Sequence, residues 1–372
     1  MAKKKITTID KVLFWNVLIL VVFGFTIFVS ASLGLAAKDH IKHTSIIVKQ
    51  IFFGLGMGGV ACFAFSHIHY LHLKRYALWI FIAALVLTLA VFIPGFGFTS
   101  GGATRWLNIG LFSFQPSEFL KIAFILFTAT WFTNVKNKVK EVKYGLIPFG
   151  IICAVTTFVM LLQRDTDTLL VMIAAGTAMY IVAGAKWKHI GIIILVGIIG
   201  LSGLVMARPY VKDRIMTFMN PAADPLNSGY QIQQSLIAIG SGGIVGRGFG
   251  QSVQKFSFLP EPTSDSIFAV AAEEFGLLGG LVIIGLFLGL MWRGLLIASR
   301  VTNPFGGLVM IGIITMITIQ SYMNIGAMLG VIPLSGLPLL FISHGGTALF
   351  FTLLSVGIMF NISRYQKPAK KS

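Results

Sequence analysis

Residues 255–275, KFSFLPEPTSDSIFAVAAEEF, carry a polar loop into a long apolar run and place one carboxylate, Asp265, at the junction. Pro260 and Pro262 stiffen the approach, because proline fixes φ and restricts the residue before it. Two adjacent glutamates, beginning at Glu273, interrupt the apolar run. Acidic side chains are costly at membrane depth and mark functional positions. We therefore interpret the rest of the chain as a frame that holds Asp265 at one face of a membrane.

The composition is that of a membrane protein. Of the 372 residues, 56% are hydrophobic and only 11% are charged, with a mean hydropathy of +0.87. A soluble domain averages about 25% charged residues. Cys62 and Cys153 lie inside apolar runs without a CxxC partner, so they suggest neither a metal site nor a disulfide. The composition predicts an all-α polytopic membrane protein.

Apolar runs of roughly 20 residues define the spans. We predict about ten transmembrane helices in a single domain, 1–372, with basic cytoplasmic tails at 1–11 and 362–372. A large extracytoplasmic loop, 208–264, separates spans seven and eight. The predicted spans are 12–37, 46–66, 77–98, 118–134, 145–163, 168–185, 189–207, 266–292, 305–330 and 337–361.

Basic residues predict the orientation. With the N-terminus inside, 18 of the 29 lysines and arginines fall in cytoplasmic segments, whereas the short outer loops carry only Lys38, Lys42, Arg105 and Arg164. The positive-inside rule therefore places both termini in the cytoplasm. The net charge of +17 is mainly an orientation signal and a contact for lipid headgroups, so we expect no nucleic-acid partner.

The carboxylates show the opposite distribution, since only Asp10 and Glu141 of the 12 are predicted to be cytoplasmic. Ionisable groups collected at helix ends on one face mark a site of chemistry or transport. We expect this site to face outward. The ten outer carboxylates are Asp39, Glu118, Asp165, Asp167, Asp213, Asp224, Glu261, Asp265, Glu273 and Glu274.

Two features of the long loop have alternative interpretations. Residues 229–240 have helical apolar spacing with glutamines on the other face, which predicts a short amphipathic helix lying on the membrane or partly re-entrant. Six glycines between 240 and 250 suit either a flexible hinge or a backbone that approaches a phosphate closely. A nucleotide-binding P-loop pattern is absent from the sequence.

Several polar residues at the outer ends of the spans are candidates with ordinary alternatives. Glu118 suits a helix N-terminus, yet Lys121 lies one turn further inside an apolar helix and can pair with it. Arg105 suits an interfacial anchor or a phosphate clamp. Asp165 lies in a polar turn, where it can cap the next helix. Arg214 can be an ordinary surface charge.

Asp265 itself can cap the eighth span or carry chemistry. If the helix is continuous from Asp265, Glu273 lies about 12 Å along it and some 80° around, so the two carboxylates can share a cavity. Glu274 then lies on the opposite face, where packing or another partner is expected. The other small residues at four-residue spacing, Gly285 and Gly289 among them, suit close helix packing in lipid.

Four ordered motifs resemble the SEDS family, which contains FtsW, RodA and SpoVE, and the resemblance covers nearly all of the ten spans. The chain ending and the Pro-Glu-Pro segment are more similar to the FtsW branch. The motifs are Arg-Trp-Leu…Gln-Pro-Ser-Glu-x-x-Lys (105–121), Gly-Tyr-Gln-x-x-Gln-Ser (229–235), Leu-Pro-Glu-x-x-x-Asp-x-Ile-Phe-Ala…Glu-Glu (259–274) and Ser-x-Gly-Gly (343–346).

This resemblance implies a peptidoglycan polymerase that uses lipid II at the outer face of the bacterial cytoplasmic membrane. It places the essential catalytic aspartate at Asp265. Arg164 and Asp167 replace residues that are usual in the family turn around Asp165, which weakens that correspondence. The substrate-binding positions it implies are Arg105, Glu118, Lys121, Asp165, Arg214, Gln234, Glu273 and Ser343.

The implied chemistry suits these residue types. A lipid-linked pyrophosphate leaving group needs cationic stabilisation, from Arg, Lys or a divalent cation such as Mg or Mn. The acceptor hydroxyl needs a base, which Asp265 can supply. Expected partners are lipid II, a class B penicillin-binding protein transpeptidase and divisome membrane proteins, with placement at the septum. The alternatives are an elongation polymerase, a lipid II flippase or transporter, and a scaffold without activity.

Overall fold

The computed structural model describes residues 8–37, 40–100, 103–109, 112–221 and 228–367. The outer parts of both predicted tails, the outer-loop residues Lys38 and Asp39, and residues 222–227 of the long loop lie outside the described residues. The described chain is helical, with one small sheet.

Fourteen α-helices are described along the chain. Helices α2 and α3 are joined through a π-helical stretch, Gln50–Met57, into one long rod. The helices are α1 Lys11–Ala36, α2 His40–Lys49, α3 Gly58–His67, α4 Tyr70–Leu89, α5 Pro116–Val135, α6 Ile147–Leu162, α7 Thr166–Val182, α8 Trp187–Ala207, α9 Pro209–Met219, α10 Ser228–Ser241, α11 Gln254–Ser257, α12 Ile267–Arg300, α13 Pro304–Met328 and α14 Gly346–Ser363.

The predicted all-α polytopic class is confirmed. Among the described residues, nine helical stretches are long and apolar enough to cross a membrane, and α7 is a shorter apolar helix of 17 residues in the place of the sixth predicted span, 168–185. A slightly short helix spans by local thinning or by its neighbours' packing. The expected short amphipathic helix of the long loop is α10, Ser228–Ser241.

The predicted boundaries of several spans were wrong. The eighth span was predicted to end at 292, but α12 continues to Arg300. The third span was predicted at 77–98, but α4 begins at Tyr70, because His69 caps it by accepting a hydrogen bond from Leu71 N at 3.2 Å. The last span was predicted from 337, but α14 begins at Gly346. Residues 337–345 are non-helical, and side chains of α13 bind the carbonyl oxygens of this segment.

A three-stranded antiparallel sheet lies between α4 and α5, where the sequence predicted only a loop. Strand β1 is Gly97–Ser100, β2 is Ala103–Ile109 and β3 is Phe112–Phe114. Leu107 pairs with Gly97 on one side and with Phe114 on the other. This sheet places Arg105, on β2, beside the turn that precedes α7.

Helix α13 is the central helix of the bundle. Pro304 occupies its first turn and Asn303 caps it, accepting from Phe305 N at 3.0 Å. The helix packs against α12, α7, α5 and α14, and most of its surface is buried inside the protein. The helix therefore contacts both α5, which carries Glu118 and Lys121, and α12, which follows Asp265.

The two ends of the described chain meet at one face. Asp10 precedes α1, and its backbone N–H donates to Ser363 Oγ at 3.2 Å. Arg293, near the end of α12, pairs with the Asp10 carboxylate at 2.6 Å, and Gln366 donates to the same carboxylate at 3.1 Å. A chain that crosses a membrane an even number of times has both ends on the same side, which agrees with this contact between the two ends.

Helix α12 is broken at Gly276, where φ is 66°. The glycine-rich segment supplies the missing backbone partners, because Leu277 N donates to Gly243 O at 2.9 Å and Gly248 N donates to Glu274 O at 3.0 Å. Freed backbone groups at membrane depth must find such partners. These glycines therefore permit close approach to a helix backbone, whereas the hinge and the phosphate contact suggested by the sequence stay predictions.

Candidate active site

Asp265 lies in the turn that leads into α12. Ser266 occupies the N-cap position of the helix, whereas the Asp265 carboxylate accepts a hydrogen bond from Ser264 Oγ at 2.9 Å. The turn is closed by Glu261 O, which accepts from Ser264 N at 3.1 Å and from Ser266 N at 3.2 Å. The capping interpretation of Asp265 therefore finds no support in its contacts within the described chain.

Three consecutive backbone carbonyls fix this turn to the rest of the protein. Thr263 O accepts from His344 N at 2.7 Å, and Ser264 O accepts from Ser343 Oγ at 2.6 Å. Asp265 O accepts from Asn324 Nδ2 at 2.8 Å. The donors belong to α13 and to the segment before α14, so the Asp265 backbone is held from two elements at once.

Arg214, on α9, lies beside this carboxylate and pairs with Asp167 at 2.6 Å. Gly336 leaves the space between them open, since a Cβ there would lie 3.9 Å from Arg214 Nη2 and 4.0 Å from Asp265 Oδ2. The structure thus brings together Asp265 and Arg214, as predicted. It adds Asp167, which sequence comparison had treated only as a departure from the family pattern.

Burial raises the pKa of Asp265 to about 6. The Ser264 hydroxyl opposes this shift by hydrogen bonding to the charged form, and the Arg214 guanidinium opposes it as well. The negative charges of Glu261 and Asp167 raise the pKa further. A carboxylate with such a pKa is a stronger base than a solvated aspartate and is still ionised at neutral pH.

Lys121 is fully engaged inside the helix bundle. Its Nζ lies 2.9 Å from Glu118 Oε2 and donates to Gln320 Oε1 at 2.7 Å. The Lys121 and Glu118 side chains are 2% and 4% exposed. The predicted intrahelical pair therefore exists, and the neutral partner Gln320 gives the lysine a second acceptor.

Arg105 and Asp165 meet at the turn before α7. Arg105 Nε donates to Gln163 O at 3.3 Å, and its Nη2 donates to Arg164 O. Asp165 caps α7 by accepting from Thr168 N at 3.4 Å. Its second oxygen, Oδ2, is buried without a hydrogen-bond partner among the described residues. The cap therefore occupies only one side of this carboxylate.

The hydrogen-bond and ion-pair partners of Glu273 lie in residues 247–254, and a cavity shared with Asp265 stays a prediction. The Glu273 carboxylate accepts from Ser252 Oγ at 2.5 Å and from Val253 N at 3.0 Å, and Arg247 lies 3.6 Å away. Asp265 precedes the helix, which begins at Ile267, so the helical spacing counted from Asp265 does not describe the relative positions of the two side chains. Glu273 anchors the end of the glycine-rich segment to α12.

Glu274 forms a second anchor, as its position on the other face suggested. It pairs with Lys255 at 2.6 Å, and both side chains are fully buried. Ser30 of α1 donates to Glu274 at 2.6 Å and accepts from Lys255 at 3.0 Å. Lys255 is hard to recognise as a buried residue from the sequence, because a lysine next to phenylalanines is also typical of an interfacial loop.

Gln234 and Ser343 differ in their relation to the site. Ser343 binds Ser264 O and also accepts from Leu339 N at 2.8 Å, so it positions the Asp265 turn. Gln234 is half-buried on α10. The glutamine of that helix that contacts the turn is Gln231, which donates to Ser266 Oγ at 3.0 Å.

Metal ligands are sparse in the described part of the chain, which contains no cluster of three or more His, Cys, Asp or Glu side chains. The residues that the sequence interpretation missed are Asp167, Lys255, Gln320 and Asn324. The sequence contains a usable signal for Gln320 and Asn324. Two amides one turn apart in an apolar helix are costly to bury, so they mark a position with a specific role.

The fold defines a polytopic helical membrane protein in which Asp265, Arg214 and Asp167 lie close together before α12. Residues 11–368 match the family described as Cell cycle protein, FtsW/RodA/SpoVE, and the chain belongs to that family. The resemblance found in the four sequence motifs is thereby confirmed.

Two similar proteins illustrate the relation. The chain is 39% identical to stage V sporulation protein E of Bacillus subtilis over 368 residues, covering 99% of this chain and 100% of that protein. It is 37% identical to the probable peptidoglycan glycosyltransferase FtsW of Geobacter metallireducens over 364 residues, covering 98% and 97%.

Solved structures agree with the fold. A chain from a peptidoglycan synthase complex, studied for its coordination of polymerization and crosslinking, superposes with a TM-score of 0.78 at 27% identity, covering 97% of this chain and 99% of that one. A mutant of the rod shape determining protein RodA from Thermus thermophilus superposes with a TM-score of 0.70 at 25% identity, covering 96% and 99%.

Proposed function

We propose that this protein polymerises peptidoglycan. It transfers the growing glycan chain from its undecaprenyl-pyrophosphate carrier to a sugar hydroxyl of lipid II, with inversion to a β-1,4 linkage. The observation that carries this proposal is Asp265, a half-buried carboxylate with a pKa of about 6 beside a cation and free of a capping role in the described chain. The names of the FtsW relatives support the reaction class.

In this mechanism Asp265 accepts the proton of the acceptor hydroxyl as the sugar oxygen attacks. Arg214 lies beside it and stabilises the ionised form before the proton arrives. Inversion needs a single displacement, so no second carboxylate has to act as a nucleophile. The negative charge that develops on the departing pyrophosphate requires cations at the same face.

Arg105 and Lys121 are our candidates for that role. Both now bind protein partners, Arg105 the turn before α7 and Lys121 the Glu118 carboxylate. The pyrophosphate can compete for Lys121 because the whole group carries two negative charges, whereas the Glu118 carboxylate carries one. Substrate binding then exchanges one anion for another at a cation that is already desolvated.

A divalent cation stays a proposal. Mg²⁺ is commonly held by one or two carboxylates plus substrate phosphates. Asp265 and Asp167 fit such a set, since Asp167 pairs with Arg214 and its negative charge acts on Asp265. Such an ion supplies charge neutralisation at the pyrophosphate when it is bound.

We further propose that the site faces outward, with both termini cytoplasmic, because the lysine and arginine distribution favours that orientation. A class B penicillin-binding protein is the proposed transpeptidase partner, alongside other divisome membrane proteins, and the superposition on a synthase complex chain supports a partner of that kind. Placement at the septum follows the similarity to FtsW, and an elongation role is the alternative.

Reconstitution tests the reaction class. The purified protein in liposomes is given lipid II, with and without a partner transpeptidase, and the products are separated by gel electrophoresis. Glycan chains that a muramidase digests support the polymerase. Movement of fluorescent lipid II between leaflets without chains indicates a flippase instead, and neither result with a correctly inserted protein indicates a scaffold.

A further inference from the structure

Two amide side chains lie one turn apart on the central helix α13. Gln320 and Asn324 are completely buried, in a helix whose remaining core positions are mostly apolar. Residues four apart share one face of a helix. Because a buried amide is costly unless its hydrogen bonds are made, their partners show what this face is built to hold.

Gln320 links a cation to the segment before α14. Its Oε1 accepts from Lys121 Nζ at 2.7 Å, and its Nε2 donates to Pro338 O at 3.3 Å. The amide can do both because one end is an acceptor and the other a donor. Lys121 on α5 is therefore set relative to Pro338 through a single side chain.

Asn324 links the aspartate turn to the neighbouring peptide of the same segment. Its Nδ2 donates to Asp265 O at 2.8 Å and to Leu337 O at 2.8 Å. An amide nitrogen has two protons, so these two bonds use its full donor capacity. Leu337 and Pro338 are consecutive, and both amides thus hold the same short stretch of backbone.

We propose that Gln320 and Asn324 are positioning residues, which set the distance between the Lys121 cation and the Asp265 carboxylate by binding both to the Leu337–Pro338 backbone. The inference rests on the proposed polymerase function. A lipid-linked donor and an acceptor hydroxyl must be aligned at once, and a misplacement of about 1 Å costs roughly 100-fold in rate. A rigid central helix is well suited to maintain such a distance.

The segment carries the same connection further. Leu339 N donates to Ser343 Oγ, which in turn donates to Ser264 O, the carbonyl preceding Asp265. The cation and the carboxylate are thus joined by two routes through residues 337–343. Purely apolar contacts between α13 and its neighbours would seal the bundle equally well without these bonds.

Two substitutions remove one amide each and keep the side-chain volume. Gln320→Met releases Lys121 from Pro338, and Asn324→Leu releases Asp265 from Leu337. Thr318→Val is the matched control, since its buried hydroxyl on the same helix has no hydrogen-bond partner within the described residues. Asn324→Ser, which keeps a donor but loses the reach to both carbonyls, replaces Asn324→Leu if that variant fails to insert.

The first readout does not depend on activity. Hydrogen exchange is followed by mass spectrometry in peptides covering 259–266 and 336–345, where His344 N is protected by Thr263 O. Asn324→Leu should raise exchange in both peptides, and Thr318→Val should leave both unchanged. Unchanged exchange in Asn324→Leu or Asn324→Ser overturns the proposal, whether or not the wild-type protein polymerises lipid II.

The second readout separates the two amides during polymerisation. Asn324→Leu should lower kcat about 100-fold and move the acid limb of its pH profile to lower pH, because water reaches a loosened Asp265. Glu261 in the same turn, Arg214 on α9 and Asp167 on α7 are the charged groups that face Asp265 and stay in place. Gln320→Met should raise the KM for the lipid-linked donor and leave that limb unmoved. The proposal is contradicted if both variants lose activity equally, with no shift of the acid limb in Asn324→Leu and no rise of KM in Gln320→Met.

Absence of polymerisation by the wild-type protein contradicts the proposed function and leaves the exchange experiment to decide the positioning role. Altered exchange in Asn324→Leu with wild-type polymerisation rates overturns the functional part of the inference. The proposal is supported if Asn324→Leu changes both hydrogen exchange and the polymerisation kinetics as expected while Thr318→Val changes neither.

Discussion

Because the Glu118–Lys121 pair is buried, a single substitution at Lys121 affects protein stability as well as any role in catalysis. Lys121→Met leaves the Glu118 carboxylate buried without its cation, and breaking one side of a buried pair costs about 3–5 kcal/mol. We therefore expect Lys121→Met to lower the thermal unfolding midpoint in detergent strongly. Glu118→Gln combined with Lys121→Met should recover most of that stability.

The double variant also isolates the role of the cation. If Lys121 stabilises the pyrophosphate, glycan-chain formation stays lost although the protein is stable again. Recovery of polymerisation together with stability shows that the lysine serves packing alone.

The pKa of Asp265 predicts the acid limit of the reaction. Burial raises this pKa to about 6, so the carboxylate loses its charge as the pH falls through 6 and can no longer accept a proton. We expect kcat/KM for lipid II to fall below about pH 6 with a slope of one. A limb near pH 4, the range of a solvated aspartate, shows that Asp265 is not the titrating base.

The break in α12 is maintained by a glycine that no other residue can replace without strain. Gly276 has a φ of 66°, and a Cβ there would lie 2.5 Å from Ile244 O. Gly276→Ala should destabilise the protein by at least the 1–2 kcal/mol of a left-handed backbone, and it should loosen the glycine-rich segment. Thermal unfolding in detergent measures this loss.

Gly285→Ala provides the control on the same helix. Its Cβ meets open space among the described atoms, and its backbone is helical. The unfolding midpoint should stay the same or rise slightly, because alanine favours a helix over glycine. Equal losses at both positions contradict the importance of the break.

The helices followed from the sequence wherever an apolar run and a capping residue agreed, as in α13, which begins at Pro304 directly after its cap, Asn303. The break at Gly276 could not be predicted from the sequence. It is stabilised by backbone hydrogen bonds to residues 243–248, which lie about 30 residues earlier in the chain. The β-sheet was missed for the same reason, because register between short strands depends on pairing that no single strand reveals. Asp265 and Arg214 were predicted from resemblance, whereas Asp167 and Asn324 became visible only through their contacts.

The molecule as a whole has its two described ends on one face, joined through Asp10. The excess of basic residues predicts that this face is cytoplasmic. Reporter fusions at Lys140 and at Lys212 should report opposite sides of the membrane, with Lys140 inside. The same side for both positions contradicts ten crossings.

The central claim is that Asp265 is the base, and Asp265→Asn tests it most directly. Asparagine keeps the side-chain size and an oxygen that can accept from Ser264, and the turn is held by its backbone carbonyls, so the variant should unfold at the wild-type temperature. It cannot accept a proton, and loss of general-base help costs roughly 10²–10⁴-fold in rate. The measurement is glycan-chain formation from lipid II, with thermal stability followed on the same preparation. The account predicts a stable protein that forms almost no chains; a stable variant that polymerises lipid II at the wild-type rate contradicts it.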